Sequence, residues 1–368
     1  MAKGILIFAE DTSGRTGWGS YSSAIVDNLS SRGRNVRIVS SSSDKAEDPS
    51  RLAILPRPLQ LRRNYPFALW YATRIFFTFS GPRKPDLIHC TVETYAFIAF
   101  IAARLMGVPY ILTVHGTYSI RIFSTRYAKL QRIAYRNADR IIAVSSYTKR
   151  VLEGAYDGKN VIVIRNGVRS GAGSTKRSGD GRTILSVGAF KPRKGYHLLI
   201  PALSRVVARF PDVRHCIAGT VADEEYLASL QELVRRHGLE KNVTLLPNVS
   251  NDTLQELYER SDIFVLTPIR EGDSFEGFGL VYLEAGSHGI PAIGSRESGA
   301  EDAIDHGITG LLADPYNEQD VADAIIKMLS DHAERSKMSS ASLKRARASS
   351  WERVMDEYEA VYENVAKV

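Results

Sequence analysis

Thr183-Ile-Leu-Ser-Val187-Gly188-Ala189-Phe190-Lys191-Pro192-Arg193-Lys194-Gly195 is the stretch whose reading decides the fold. A short β-rich run enters a glycine-bearing loop, and a helical stretch follows to about residue 209. Strand, loop and helix in that order form the repeating unit of a parallel α/β sheet.

Outward from this stretch the same unit recurs. Downstream, β-rich runs fall near Val213–Ala218, Val243–Leu246, Ile263–Leu266 and Ala292–Gly294. Helices are predicted at about 195–209, 223–237, 252–260, 278–288 and 317–330. Upstream, runs at Gly4–Glu10, Asn35–Ser40, Asp86–Cys90, Tyr110–Val114, Arg140–Ser145 and Val161–Arg165 alternate with helical stretches such as Gly19–Arg32 and Thr94–Met106. Between the two series lies a Gly/Ser-rich segment without apolar period, read as a linker over 169–182. The expected organisation is therefore an N-terminal Rossmann-like domain over 1–168 and a second over 183–349. Two such domains would face each other across a cleft, because open α/β sheets bind ligands at the C-terminal ends of their strands. A helical tail follows from about 333, with Trp351, Met355, Tyr358 and Tyr362 at helical spacing. Its last part, 350–368, either crosses back to the first domain or caps the second.

A length of 368 residues suits two domains, and 44% hydrophobic with 24% charged residues is an ordinary globular composition. Cys90 and Cys216 are too few for a disulfide framework or a four-thiolate zinc site, and both read as buried free thiols. No leader or membrane-spanning run is evident, so the expected location is cytosolic or peripheral on the cytosolic face of a membrane. Residues 1–168 hold 24 Lys/Arg against 11 Asp/Glu, whereas residues 169–368 hold 24 against 30. Residues 51–84 carry seven cations, no acid and seven aromatic residues. That mixture suits an anionic lipid surface, the alternative being a core helix with a solvated basic face. No nucleic-acid-binding signature accompanies it, and no nucleic-acid partner is expected.

Four motifs could carry chemistry. Gly14-Arg-Thr-Gly17-Trp18-Gly19 runs from strand to helix, where backbone N–H groups favour an anion. The second strand ends in Ser40–Ser43 without the acidic residue that a nicotinamide dinucleotide would want. His115 ends a strand and precedes Gly116, placed to donate to or orient a substrate hydroxyl. Lys191, Arg193 and Lys194 in the Gly188–Gly195 loop suit a diphosphate. Glu276 precedes a helix that holds Glu284 in an otherwise apolar segment, so Glu284 needs a polar partner, for which sugar hydroxyls serve well.

Together these stretches resemble the family-four retaining glycosyltransferases of the GT-B fold, also grouped as glycosyl transferases group 1. The resemblance rests on Glu276-x7-Glu284, Pro192-Arg193-Lys194-Gly195, Ile164-Arg165-Asn166-Gly167-Val168, Ala143-Val144-Ser145-Ser146 and Gly307-Ile308-Thr309-Gly310-Leu311-Leu312, and covers about Gly4 to Leu329. It implies a nucleoside-diphosphate sugar, UDP- or GDP-linked, bound mainly by the second domain. By the family pattern Glu284 binds the ribose, and Glu276 with the backbone of Gly277, Phe278, Gly279 and Leu280 holds the donor sugar. Lys194 with Arg193 neutralises the diphosphate, and Val249 lies near the base. Gly17 and Gly19 close over the phosphate and acceptor side, and His115 contacts the donor sugar. One departure stands out: Ala189 occupies a position where many members carry Arg.

The resemblance implies neither cofactor nor metal, and no Asp-x-Asp pair sits in a suitable loop. A front-face mechanism is expected, since no carboxylate stands as an obvious nucleophile beside His115. The basic first half suggests a lipid-linked hydroxyl acceptor, as in cell-surface polysaccharide assembly. An inactive GT-B partner subunit, a nucleotide-sugar epimerase and a two-Rossmann dehydrogenase are the rival readings.

Overall fold

The structure is a computed structural model that describes residues 4–13, 16–41, 50–57, 65–169 and 181–366. Gly14, Arg15, Asp44, Arg62, Arg63 and nearly all of the expected linker lie outside the described residues. The chain divides into two compact units, Met1–Asn166 with Trp351–Val368, and Gly167–Ser350.

In the first unit, the described strands are β1 (Gly4–Phe8), β2 (Asn35–Ser40), β3 (Arg51–Ala53), β4 (Leu87–Cys90), β5 (Tyr110–Val114), β6 (Arg140–Ala143) and β7 (Val161–Val163). They form one parallel sheet in the order β3-β2-β1-β4-β5-β6-β7. The second unit holds β8 (Thr183–Val187), β9 (Arg214–Gly219), β10 (Val243–Pro247), β11 (Ile263–Val265), β12 (Ala292–Ser295) and β13 (Gly310–Ala313). Their order is β10-β9-β8-β11-β12-β13, again parallel. Both sheets reverse direction of strand addition beside their first strand, between β1 and β4 and between β8 and β11. Loops leaving the C-terminal ends of the strands diverge at such a point and leave a crevice.

The strands read as unbroken apolar runs because parallel sheets are covered on both faces. All five residues of β1 and of β5 are buried. Helix Gly17–Ser31 covers the first sheet and starts where Thr16 Oγ1 accepts the Gly19 N–H at 2.9 Å. The strand Arg51–Ala53 is an element that the sequence reading did not anticipate. Cys90 is buried as expected, but Cys216 is only partly so, because its strand β9 alternates buried and less buried positions.

The tail is two helices, His332–Ala348 and Trp351–Ala366, rather than one. Ser349 and Ser350 separate them, and the Val168 N–H bonds to Ser349 O at 2.9 Å. The first helix packs within the second unit against Leu280–Ser287. Helix Trp351–Ala366 completes the core of the first unit, where Trp351, Met355, Tyr358 and Tyr362 join Ile5, Ile7, Tyr21 and Ile111. Its hydroxyls are satisfied in that core: Tyr358 bonds Tyr21 at 2.7 Å, Tyr21 bonds Thr113 at 3.0 Å, and His89 bridges Thr113 and Tyr362 at 2.8 Å each. Without partners each such group would cost about 1–3 kcal/mol on burial. Among the described residues, no helix is long and apolar enough to cross a membrane.

Candidate functional site

In the second unit, two loops leave adjacent strands at the switch point. The β8 loop makes a turn at Pro192–Lys194, and the Ile269 N–H fastens it by bonding Arg193 O at 2.9 Å. The segment after β11 delivers Glu276. Lys194 Nζ donates to Glu276 Oε2 at 2.6 Å, and Arg193 Nη1 donates to the same oxygen at 2.9 Å. Arg193 Nη1 also bonds the Phe275 carbonyl at 3.1 Å. Burial would raise the Glu276 carboxyl, but Lys194 and Arg193 outweigh it and hold it at about 2. Burial pushes the Lys194 ammonium below the ordinary lysine range, with Glu276 pulling the other way. Lys191 completes the cluster. Burial, then the charges of Arg193 and Lys194, bring it down to about 8. Among the described residues Lys191 has no ion-pair partner.

Helix Leu280–Ser287 begins after Gly277, Phe278 and Gly279, which follow Glu276. Its cap, Gly279, has φ 81°, and a Cβ there would strike the Tyr282 ring. Gly299 seals the same loop: its N–H bonds Glu276 O at 3.0 Å, and a Cβ would overlap the Gly277 backbone. Phe278 is buried, so its contribution to any ligand is through its backbone. Glu284 projects from the helix and accepts from Tyr258 Oη at 3.1 Å, and burial raises its carboxyl. Tyr258 stacks on His288 with ring centroids 5.0 Å apart. This polar partner comes from a helix 26 residues upstream, which no local sequence signal announces. Val249, half-buried, follows β10 directly after Asn248, whose φ is 54°.

In the first unit, His115 directly follows β5. Its Nε2 bonds the Thr91 carbonyl at 2.8 Å, so Nε2 carries the proton. Burial brings the ring down to about 4, so it is neutral at pH 7. Nδ1 is then an acceptor, so of the two roles expected for His115, donating to a hydroxyl or orienting one, the tautomer leaves the second. Tyr21 meets the ring edge-on, with centroids 4.5 Å apart.

Glu93 stands beside His115, and its Oε1 accepts the His115 N–H at 2.5 Å. Glu93 is completely buried, and burial raises it to about 7 against backbone N–H bonds from His115 and Gly116. A carboxylate thus does lie beside His115, sealed from solvent, with Oε1 on the His115 N–H and Oε2 buried without a hydrogen-bond partner among the described residues. Sequence reading missed it because it lies 22 residues away, on the turn after the neighbouring strand.

Gly17 opens helix Gly17–Ser31, and Gly19 sits so close to Asp11 that a Cβ would overlap its carboxylate. Thr16 also donates to Glu10 Oε2 at 3.4 Å. Two carboxylates therefore face this helix start, which opposes a phosphate there and suits hydroxyl donors instead. Of the two roles expected for Gly17 and Gly19, on the phosphate and on the acceptor side, these carboxylates favour the acceptor side. Among the described residues, no group of three or more His, Cys, Asp or Glu could hold a metal ion.

Two family models match the chain in succession: Glycosyltransferase Family 4 over residues 16–170 and Glycosyl transferases group 1 over residues 172–345. An uncharacterized glycosyltransferase of Methanocaldococcus jannaschii is 28% identical over 288 residues, covering 76% of each chain. A GDP-mannose-dependent alpha-(1-6)-phosphatidylinositol monomannoside mannosyltransferase of Mycobacterium tuberculosis is 32% identical over 158 residues, 42% of this chain and 40% of that protein. Sucrose-phosphate synthase from Thermosynechococcus elongatus superposes with a TM-score of 0.80 at 18% identity, covering 98% of each chain. Anabaena HepE in complex with UDP-glucose superposes at 0.77 and 18%, covering 99% of this chain and all of that one. The paired parallel sheets have the strand order of the GT-B fold, and the chain belongs to the group 1, family-four type of glycosyltransferases.

Proposed function

We propose that the chain transfers a sugar from a UDP- or GDP-linked donor to a hydroxyl acceptor, with retention of anomeric configuration and without a metal ion. The observation that carries this reading is the cluster of Lys191, Arg193 and Lys194 about Glu276 at the switch point of the second sheet. Glu284 takes the ribose hydroxyls, and Val249 lines the base. Glu276 and the N–H groups of Gly277 to Leu280 orient the donor sugar. Lys194 and Lys191 face the diphosphate. Lys191, which has no ion-pair partner among the described residues, stands in for the Arg that Ala189 lacks, while Arg193 is also held by the Phe275 carbonyl. The names of two relatives support the donor class: one is GDP-mannose-dependent, and the other binds UDP-glucose.

In the proposed step, the acceptor oxygen attacks the anomeric carbon on the face that the phosphate leaves. The carbon–phosphate-oxygen bond breaks as the new glycosidic bond forms, and the acceptor proton passes to the leaving phosphate oxygen. The cations stabilise the charge developing there. Neutral His115 accepts a hydrogen bond from a sugar hydroxyl through Nδ1. Glu93, buried and bonded to backbone, is no nucleophile in this scheme.

The acceptor we propose is lipid-linked, of the kind used in cell-surface polysaccharide assembly, and met at an anionic membrane on its cytosolic face. The basic, aromatic stretch 51–84 and the phosphatidylinositol-based acceptor named for the mycobacterial relative support it.

A thermal-shift screen with UDP, GDP, ADP, CMP and their sugars, in chelator, tests the donor. At about 100 times Kd a ligand stabilises by about 2.7 kcal/mol. A shift with one nucleotide, lost in Glu284→Ala, supports the reading. Ala189 favours one second reading, an inactive partner subunit, to which silence towards every nucleotide would point. Trapping a covalent glycosyl–enzyme intermediate would overturn the front-face step.

A further inference from the structure

Helix Ala68–Thr78 is apolar on both sides. Ala68, Ala72 and Ile75 are buried, and the helix packs on Ala96–Met106 within the first unit. The opposite face is not the solvated basic face that a core helix would show. Leu69 is 61% exposed, Trp70 51% and Phe77 74%, and Phe67 just before the helix is 56% exposed. Trp70, Arg74 and Phe77 follow one another at helical spacing, so they form one ridge. The Arg74 guanidinium lies over the Trp70 ring, 5.5 Å from its centroid. Thr73 and Thr78 line the shallow groove between Trp70 and Phe77. Half of the chain's exposed large apolar side chains, among the described residues, fall on these eleven positions from Phe67 to Phe77. Solvated single apolar residues need no explanation, but a contiguous ridge does.

The charge on the ridge and in the sequence that flanks it points to what covers it. Arg57, Arg74, Arg83 and Lys84 are all exposed, and none has an ion-pair partner among the described residues. Residues 51–84 contain no Asp or Glu. A second copy of the chain meeting the same patch would bury two Arg74 cations in one apolar contact with no acid from residues 51–84 to pair them. An anionic bilayer instead offers hydrocarbon to the ridge and phosphate to the rim. At about 1.5 Å per residue, eleven residues reach about 16 Å, too short to span a bilayer but suited to lie in its interface.

We infer that Phe67, Leu69, Trp70 and Phe77 insert into the headgroup–acyl boundary of an anionic membrane, with Arg74, Arg83 and Lys84 at its phosphates. Insertion, rather than charge attraction alone, holds the first unit there. Arg74 lies along the Trp70 ring and carries its charge to the headgroup level as its stem covers apolar surface. This inference rests on the membrane reading of the proposed function and specifies its contact surface.

The test uses the full chain with vesicles of phosphatidylcholine alone and of phosphatidylcholine with phosphatidylglycerol. Co-sedimentation is measured at low salt and at about 0.5 M salt, where the Debye length is only a few ångströms. Wild type is expected to retain binding to the anionic vesicles at high salt. Trp70→Ser with Phe77→Ser is expected to lose binding about tenfold or more at both salts. Lipids brominated near the glycerol end of the acyl chain are expected to quench wild type and to quench Trp70→Phe much less. The nucleotide-induced thermal shift serves as a folding and donor-site control and should be unchanged in these variants. Binding that high salt abolishes and the double substitution leaves intact would overturn insertion while leaving the membrane reading. No binding to either vesicle would overturn both. A wild-type dimer that the double substitution dissociates would make a second copy the occupant and overturn the inference.

Discussion

Lys194 Nζ lies 2.6 Å from Glu276 Oε2, and this contact joins two loops that are 82 residues apart in the chain. Both loops leave neighbouring strands, β8 and β11, at the place where the strand order reverses. The pair is only 11% and 13% exposed, so removal of either member leaves a charge short of its partner.

Glu276→Ala and Lys194→Ala should therefore each reduce turnover far more than Ala189→Arg. We expect losses of about a hundredfold or more for the first two, the scale of removing one charge-stabilising group. Ala189→Arg should stay within about threefold, since one charged contact is worth a small number of kcal/mol at most and Lys191 already supplies it. Steady-state transfer of a labelled sugar measures all three, and near-wild-type rates for Glu276→Ala would refute the site.

Lys191 titrates within reach of experiment. Brought down to about 8 by burial and by Arg193 and Lys194, it is charged below that pH and neutral above it. Affinity for a nucleoside diphosphate should fall as pH rises from about 7 to 9. Lys191→Arg should remove that dependence, and Lys191→Met should weaken binding about tenfold at pH 7. Affinity for the unphosphorylated nucleoside should not change. Calorimetric titration against pH would show this, and a wild-type-like pH profile in Lys191→Arg would count against the assignment.

Three histidines are held neutral by burial: His89 and His215 at about 3, and His115 at about 4. Each has a folded value below its unfolded value near 6.5. The unfolded chain then binds more protons as pH falls, so their stability contribution is full above pH 6.5 and lost on acidification, through about 4 for His115 and about 3 for His89 and His215. Near pH 5, each contributes a slope of about 1.4 kcal/mol per pH unit. His215→Gln should reduce the measured slope of denaturation against pH, whatever it does to stability at pH 7. For His115, the imidazole NMR signals should not move between pH 5.5 and 8, a range chosen at about one unit or more above its folded value. A His115 titration near 6.5 would refute the acceptor role given to Nδ1.

Gly299→Ala should act on the donor loop without altering any charged group. Its Cβ would press on the Gly277 backbone, which cannot move without disturbing the Glu276 carbonyl bond. The expected cost is about 1–3 kcal/mol of stability with a loss of nucleotide binding. Chemical denaturation and the thermal-shift screen check the two effects, and unaltered binding would show that the loop has room to relax.

The acceptor-side reading depends on contacts whose origins differ. His115 is visible in the sequence because a histidine and a glycine end an apolar run, and β5 does end at Val114. The protonation of its ring is not visible, because the bond from Nε2 to Thr91 O comes from a neighbouring strand. Glu93 is hidden for the same reason. Phe67, Trp70 and Phe77 could be seen as aromatic residues in a basic stretch, but their outward face appears only once Ala72 and Ile75 are packed inward.

The amino-acid order alone set an α/β chain with two strand–loop–helix series, with Glu276, Arg193 and Lys194 on loops and Glu284 within the helix that follows. Periodicity and turn chemistry are local, so a linear reading reaches them. Tertiary structure alone decided that Arg193 and Lys194 share one oxygen of Glu276, that Lys191 has no ion-pair partner among the described residues, and that Tyr258 serves Glu284. It also assigned helix Trp351–Ala366 to the first unit, through Tyr21 and His89. Such pairings join residues far apart in sequence, and only the packing of the sheets specifies them, because burial forces each polar group to find a partner wherever the fold brings one.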